Sequence, residues 1–270
     1  MSIDWPLLGI CLGGAIAAGL VMYHGVAAYY HLRYYVGRRD DPQSWKIQPT
    51  RFLSPKLRRS AVWMGSGNLA LGGFVTGLLI YAIAKGHLQT PIFFQVSDYG
   101  WIYTIATTLG YFVVVDGLNY YVHRLFHTKF LFRHFHRHHH KFTTTNPYTA
   151  TALHPVELLA QQTASFLPAF IVPLHAVSIG IVLSYILIFN VIDHSGVRLS
   201  SSLPWQGPST YHDDHHVYFH CNFGQHLMIF DKIHGTLRRK DRRYGAEVFG
   251  GKGEPNSEHA TTRDEFVEYR

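Results

Sequence analysis

The chain has 270 residues, of which 47% are hydrophobic and only 15% charged, with a net charge of +7 and two cysteines. Soluble domains usually carry about 25% charged residues, so the composition argues against an ordinary soluble protein and excludes a disordered one. Two cysteines, Cys11 and Cys221, exclude a disulfide framework and any cysteine-rich zinc or iron–sulfur site.

The first predicted element is an uncharged run from Trp5 to Tyr30, rich in Leu, Ile, Ala, Gly and Val. It is long enough to cross a hydrocarbon core of about 30 Å. No Lys or Arg precedes Arg33, so a signal-anchor span is favoured over a cleaved signal peptide. Further uncharged runs cover Ala61 to Ala84, Gly100 to Val115 and Leu158 to Ile192. The last is too long for one span and carries Pro168 and Pro173, which predicts a hairpin of two helices, the first of them re-entrant or kinked. Eight Lys and Arg residues lie between Arg33 and Arg59, one between Lys85 and Asp98, five between Arg124 and Lys141 and ten beyond Val197. The positive-inside rule then places the first loop, the histidine-rich segment and the C-terminus in the cytoplasm, with three or five crossings. The basic loops have a membrane explanation, so no nucleic-acid partner is expected. The expected fold is an all-α integral membrane protein. It is a single domain over 1–270, with anchor helices over 1–115, a catalytic region over 116–240 and a loose tail over 241–270.

Histidine is the second anomaly: 20 in all, 15 of them between His123 and His226. His123 and His127 are one helical turn apart and share a face. In the next cluster, His136, His139 and His140 share one face and His134 and His138 another. Spacing alone does not choose, but His212, His215 and His216 repeat the H-x-x-H-H pattern and favour the first set. Eight imidazoles exceed the needs of one tetrahedral zinc and suit two metal ions. Glu-x-x-His and H-E-x-x-H patterns are missing, which disfavours a soluble-type di-iron bundle and a zincin protease. Two ferrous ions in an all-nitrogen site would reduce O2 to an oxidant able to attack an unactivated lipid C–H bond. Asp116, seven residues before His123 and inside a span, reads as an acceptor that fixes an imidazole tautomer.

At these residues the sequence resembles the fatty acid hydroxylase/sterol desaturase superfamily of membrane di-iron oxidases. The likeness runs from about Asp116 to Arg239. It includes the three histidine boxes, Leu131-Phe132-Arg133, His154-Pro155, Asp193-His194-Ser195-Gly196, and the stretch from Tyr211 to Gln225. The resemblance implies nine metal ligands: His123, His127, His136, His139, His140, His194, His212, His215 and His216. It marks His154 and Asn222 as groups that orient a ligand or line the substrate channel. It implies two iron ions (zinc substituting in purified material), O2 as co-substrate, and a lipid or sterol taken from the bilayer. Electrons would come from cytochrome b5 and an NAD(P)H-dependent reductase, docked on the basic run Arg238 to Arg243, and the location would be the endoplasmic reticulum membrane. The stretch from Pro173 to Ser178 and the Asn222-Phe-Gly-Gln225 run are similar to sterol C-5 desaturases. That family often has Asp where Glu157 stands and Gly-Gly where Gly235-Thr236 stands. C-4 methylsterol monooxygenases and fatty acyl hydroxylases are the alternatives within the superfamily; a zinc-binding membrane protein or a non-catalytic sterol sensor is the alternative outside it. His134, His138, His220, His226, His234 and His259 are left as non-ligands.

Overall fold

The computed structural model describes residues 2–201, 203–256, 267 and 269. Helix α1 (Trp5–Tyr30) starts where the Asp4 carboxylate accepts the Leu7 N–H at 3.2 Å, with Pro6 in the first turn. It runs on into a π-helical turn, His31–Val36. Ser54 caps α2 (Pro55–Ala84), with Pro55 at its first position. The two helices pack so closely that side chains are excluded between them. A Cβ on Gly73 would stand 2.7 Å from the Ile16 Cα, and one on Gly77 would stand 2.6 Å from the Leu12 Cα.

Helix α3 (Gly100–Phe126) carries the third uncharged run and ends beyond it in the first histidine pair. Its exposed large residues are Trp101, Ile102, Ile105, Leu109, Val113, Val114, Tyr121 and Leu125. Ile102, Ile105, Leu109 and Val113, spaced three and four apart, share one helical face, and Val114, Tyr121 and Leu125 share the face beside it. An apolar stripe left uncovered along a whole helix is a lipid-facing surface. The chain then makes two short helices, α4 (Lys129–Leu131) and α5 (Arg137–His140), joined by a π-helical turn, Phe132–His136.

The 35-residue uncharged run divides as its prolines predict. Helix α6 (Pro155–Phe166) is followed by a 3-10 turn, Leu167–Phe170, that contains Pro168. Helix α7 (Ala176–Asp193) follows, and the Nδ1 of His175 caps it by accepting the Val177 N–H. The Tyr111 hydroxyl donates to the Ser165 carbonyl at 2.9 Å, and the Tyr103 hydroxyl to the Pro173 carbonyl at 3.1 Å. Helix α6 therefore runs antiparallel to α3, and α7 returns parallel to it. Four helical segments are long and apolar enough to cross a membrane: Trp5–Val36, Pro55–Ala84, Gly100–Phe126 and Ala176–Asp193. With the shorter α6, the chain traverses the bundle five times. The C-terminal ends of α1, α3 and α7 and the start of α2 share one end of the bundle. There the Tyr35 hydroxyl donates to the Ser195 carbonyl at 2.8 Å, and the Gln48 amide donates to Asp213 at 2.9 Å.

Two further helices complete this end, α8 (Ser209–Tyr218) and α9 (Ile229–His234). Of the tail expected to be loose, residues 241–256 are described, with 267 and 269. Strands β1 (Arg242–Arg243) and β2 (Glu254–Pro255) pair antiparallel, and Phe249 packs on the His220 ring at 4.2 Å between centroids. Gly251 (φ +85) lies so near Phe223 and Thr236 that a side chain would collide with both. An apolar anchor, Phe249, is what the count of charges in this segment concealed. His259 lies outside the described residues.

Candidate metal centre

The last turn of α3 presents His123 and His127, the π turn and α5 present His136, His139 and His140, the residue after α7 is His194, and α8 presents His212, His215 and His216. All nine are buried. Their ring nitrogens form two groups, in each of which the ligand atoms lie within 4.8 Å of one another: His123, His127, His136, His140 and His215, and His139, His194, His212 and His216. The structure thus brings together all nine residues singled out in the sequence. It does not keep each H-x-x-H-H triad on one centre. His136 and His140 join the first group while His139 joins the second; His212 and His216 join the second while His215 joins the first. Each triad straddles both groups, which a one-face reading of its spacing misses.

Hydrogen bonds on the far side of the rings fix several tautomers. His123 Nδ1–H donates to the Phe223 carbonyl at 2.7 Å, His215 Nδ1–H to the Cys221 carbonyl at 2.7 Å, and His194 Nδ1–H to the Asn190 carbonyl at 2.8 Å. His136 Nδ1–H donates to the Glu157 carboxylate at 2.7 Å. Neutral imidazole carries one N–H, so in all four the Nε2 is a bare lone pair. His127 follows by one more step. His220 Nε2–H donates to the Ala246 carbonyl at 2.9 Å, so His220 Nδ1 accepts from His127 Nδ1–H at 2.9 Å. The remaining His127 Nε2 is buried and has no partner.

These lone pairs face one another. His123 Nε2 is 3.2 Å from His136 Nε2, and neither can donate. His194 Nε2 lies 3.2, 3.0 and 3.1 Å from the Nε2 atoms of His139, His212 and His216, although one lone pair can accept only one hydrogen bond. His139, His140 and His216 each leave Nδ1 buried without a partner. Converging lone pairs in a dry site repel unless a cation lies between them. The donor set therefore fits two nitrogen-ligated divalent metal ions. Electrostatics agree. Burial, reinforced by neighbouring imidazoles, holds the protonation of His127, His139, His140, His212, His215 and His216 well below the ordinary histidine range. Burial lowers His194 to about 4. The neutral, metal-binding form is the one the fold selects.

Three expected supporting residues take other roles. Asp116 holds no imidazole: its carboxylate accepts the backbone N–H groups of His226 and Leu227, both at 3.1 Å, because the loop after α8 folds back over α3. His154 is the cap of α6, accepting the Val156 N–H at 3.2 Å, and its ring stands edge-on to Phe135. Asn222, at φ +54, donates to the Tyr211 carbonyl at 3.0 Å and accepts the Arg238 N–H at 2.8 Å. It shapes the loop whose carbonyls at Cys221 and Phe223 orient His215 and His123. Sequence reading missed Glu157 and His220 as orienting groups. Glu157 had a signal, being the last charge before a 35-residue uncharged run. His134, His138, His220, His226 and His234 belong to neither group.

A cavity of about 520 Å3 reaches the centre at His127 and is lined also by Tyr121, Arg124, Leu125, Phe223 and Phe249.

Residues 108–236 match the fatty acid hydroxylase family. The lathosterol oxidase of Rattus norvegicus is 28% identical over 245 residues, 88% of this chain and 75% of that protein. The Delta(7)-sterol 5(6)-desaturase ERG3 of Saccharomyces cerevisiae is 29% identical over 69% of this chain and 49% of its own length. The Delta(7)-sterol 5(6)-desaturase erg31 of Schizosaccharomyces pombe is 25% identical over 69% of this chain and 63% of its own length. The chain thus spans 49% and 63% of the two yeast proteins. No solved structure matches it. The segment 108–236, which carries all nine clustered histidines, thus matches the fatty acid hydroxylase family of oxidoreductases, and sterol 5(6)-desaturases are among the proteins the chain is similar to.

Proposed function

We propose that the chain is an O2-dependent di-iron sterol desaturase that introduces the C-5 double bond. The observation that carries this reading is the pair of histidine groups, five and four, whose bare Nε2 atoms face one another at one end of a membrane bundle. His123, His127, His136, His140 and His215 would hold one ion, and His139, His194, His212 and His216 the other. Bound iron supplies O2 reduction and cleavage of an unactivated C–H bond. The balance is a sterol with two hydrogens at C-5 and C-6, O2, two electrons and two protons, giving the unsaturated sterol and two waters.

The protein's own groups do the rest. Glu157, His220 and the carbonyls of Asn190, Cys221 and Phe223 hold the imidazoles in the ligand tautomer. The buried rings and the bundle exclude water from the site. The relatives named above support the sterol as substrate. No dinucleotide-binding G-x-G-x-x-G follows a strand and no haem-attachment motif is present, so the two electrons come from a partner, cytochrome b5 served by an NAD(P)H-dependent reductase. Of the basic run offered for its docking, Arg238, Arg239, Arg242 and Arg243 are each ion-paired to a carboxylate of this chain. The catalytic end and C-terminus face the cytoplasm at the endoplasmic reticulum membrane.

The test is sterol and fatty acid profiling by mass spectrometry in cells with and without the protein, with metal analysis of the purified chain. Loss of the protein should accumulate a sterol saturated at C-5. A changed fatty acid profile with normal sterols would replace this reading with an acyl hydroxylase. Zinc alone, with no lipid oxidised by iron-reconstituted protein under reductant, would replace it with a binding protein.

A further inference from the structure

The cavity beside His127 has one polar group with capacity to spare. The Tyr121 hydroxyl is paired with His234 Nε2 at 3.0 Å, and the Thr128 hydroxyl donates to the Leu125 carbonyl at 2.8 Å. His127 Nδ1 is engaged by His220, and its Nε2 belongs to the metal group. Arg124 has a single long contact, 3.5 Å to the Tyr120 hydroxyl, and among the described residues no carboxylate within ion-pair distance. A guanidinium carries five donors, so most of its donors are uncommitted.

The cavity also has a direction. Its inner wall is His127 and Phe223, both buried, and its rim is Tyr121 and Leu125, 50% and 54% exposed. With Val114, those two residues carry the exposed apolar surface of α3 on to its last turn, beside the lipid-facing row from Ile102 to Val113. The mouth therefore opens onto the bilayer, at the level where α3 leaves it. An apolar chain is at home on that stripe, and an oxygen-bearing head is not.

We propose that this cavity receives a lipid head first, its head oxygen accepting hydrogen bonds from Arg124, its first carbons beside His127 and its apolar tail left along the α3 stripe. The choice of head rests on the sterol reading above: a 3-hydroxyl is three carbon–carbon bonds from C-6, so anchoring it at Arg124 keeps the reacting bond at the His127 end. Arg124 is a positioning residue here, touching the head of the lipid and not the reacting carbons.

The experiment is equilibrium binding of tritiated lathosterol to the full chain, metal-loaded, in phosphatidylcholine nanodiscs. Competitors are cholest-7-ene, which lacks the hydroxyl, and palmitate. A hydrogen bond from a charged donor is worth about tenfold or more in affinity. Wild type should prefer lathosterol to cholest-7-ene by about that factor. Arg124→Met, which keeps the apolar stem, should bring the two within about twofold at unchanged metal content, and Arg124→Lys should keep part of the preference. Leu125→Trp at the rim should weaken both sterols together. A preference for lathosterol that survives Arg124→Met, or no preference in wild type for either oxygen-bearing lipid, overturns the proposal. Palmitate binding ahead of lathosterol, and lost in Arg124→Met, keeps Arg124 as the head anchor and overturns the sterol reading instead.

Discussion

In five of the nine clustered histidines a partner holds one ring nitrogen and leaves the other as a bare lone pair. Three carbonyls, one carboxylate and one further histidine do this, and none of them is a neighbour in sequence of the ring it holds, except Asn190 and Cys221. Eight of the nine histidines were legible because H-x-x-x-H and H-x-x-H-H spacings are local, and His194 was reached only through the family resemblance. Glu157 and His220 were not, because their partners lie 21 and 93 residues away. His220 gives the sharpest test. In His220→Phe the His127 Nδ1–H loses its acceptor and the Nε2 tautomer becomes available, which points a proton where a lone pair is needed. Metal affinity should drop by about 10- to 100-fold, and His220→Asn, which can accept and donate, should restore most of it. Metal content after dialysis against graded chelator reads this directly; equal retention in His220→Phe and wild type would remove the residue from the centre. Acid gives a second test. Unfolded histidine takes its proton near pH 6.5, whereas burial lowers His194 to about 4 and His127, His139, His140, His212, His215 and His216 well below their ordinary range. Below pH 6.5 the unfolded chain therefore binds more protons than the folded one, and stability falls as pH falls; above it both states are neutral and this contribution is flat. Protons also compete with metal for Nε2. Metal content should hold constant from pH 8 to about 6.5 and fall only at lower pH. Release already complete at pH 7 would contradict burial of the set.

Elements were legible through the absence of charge. Trp5 to Tyr30 forms α1 over those residues, and the uncharged run from Ala61 ends at Ala84 where α2 ends. What composition could not supply was closeness. Along α2, Gly67 meets nothing within 4 Å, while Gly73 and Gly77 lie against the α1 backbone. No pattern in α2 alone separates these glycines, because the difference lies in the path of another helix. Gly77→Leu should push α1 and α2 apart and cost about 1–3 kcal/mol, the usual range for overpacking, whereas Gly67→Ala should be neutral or slightly stabilising. Thermal unfolding in detergent compares the two; equal melting temperatures would mean that α1 and α2 do not touch there. The π turn at Phe132–His136 was equally invisible. It contains His136, the first residue of the second triad, and accompanies the triad's division between the two groups, so the helix-face argument picked out residues that cluster but not how they divide.

At the scale of the molecule, the charged and histidine-rich segments among the described residues lie at one end of the bundle, except Asp4 and the connection between α2 and α3, which meet in the Asp4–Lys85 ion pair at the other. The loop after α1 is tied to that end by Tyr35 and Gln48, through the Ser195 carbonyl and Asp213. The tail is tied to it by Tyr269, whose hydroxyl donates to Asp214 at 2.7 Å. The opposite end is marked by Phe93, whose backbone pairs with His175 ahead of α7. The arrangement gives five traverses of the bundle, and the positive-inside rule leads to the expectation, tested below, that the histidine end faces the cytoplasm. Both native cysteines are buried, so single added cysteines report topology cleanly. Arg39, Gln89 and Lys252 are exposed. In sealed membranes, Arg39→Cys and Lys252→Cys should react with a membrane-impermeant maleimide from the cytoplasmic side, and Gln89→Cys only from the other. Labelling of all three from one side would leave α2 and α3 unable to span. Labelling of Arg39→Cys and Gln89→Cys on the reverse sides would keep the five traverses and invert the protein, placing the centre away from any cytoplasmic electron donor. The fold fixes which segments share a side; the charge asymmetry, eight cations in the first loop against one in the second, chooses which side that is.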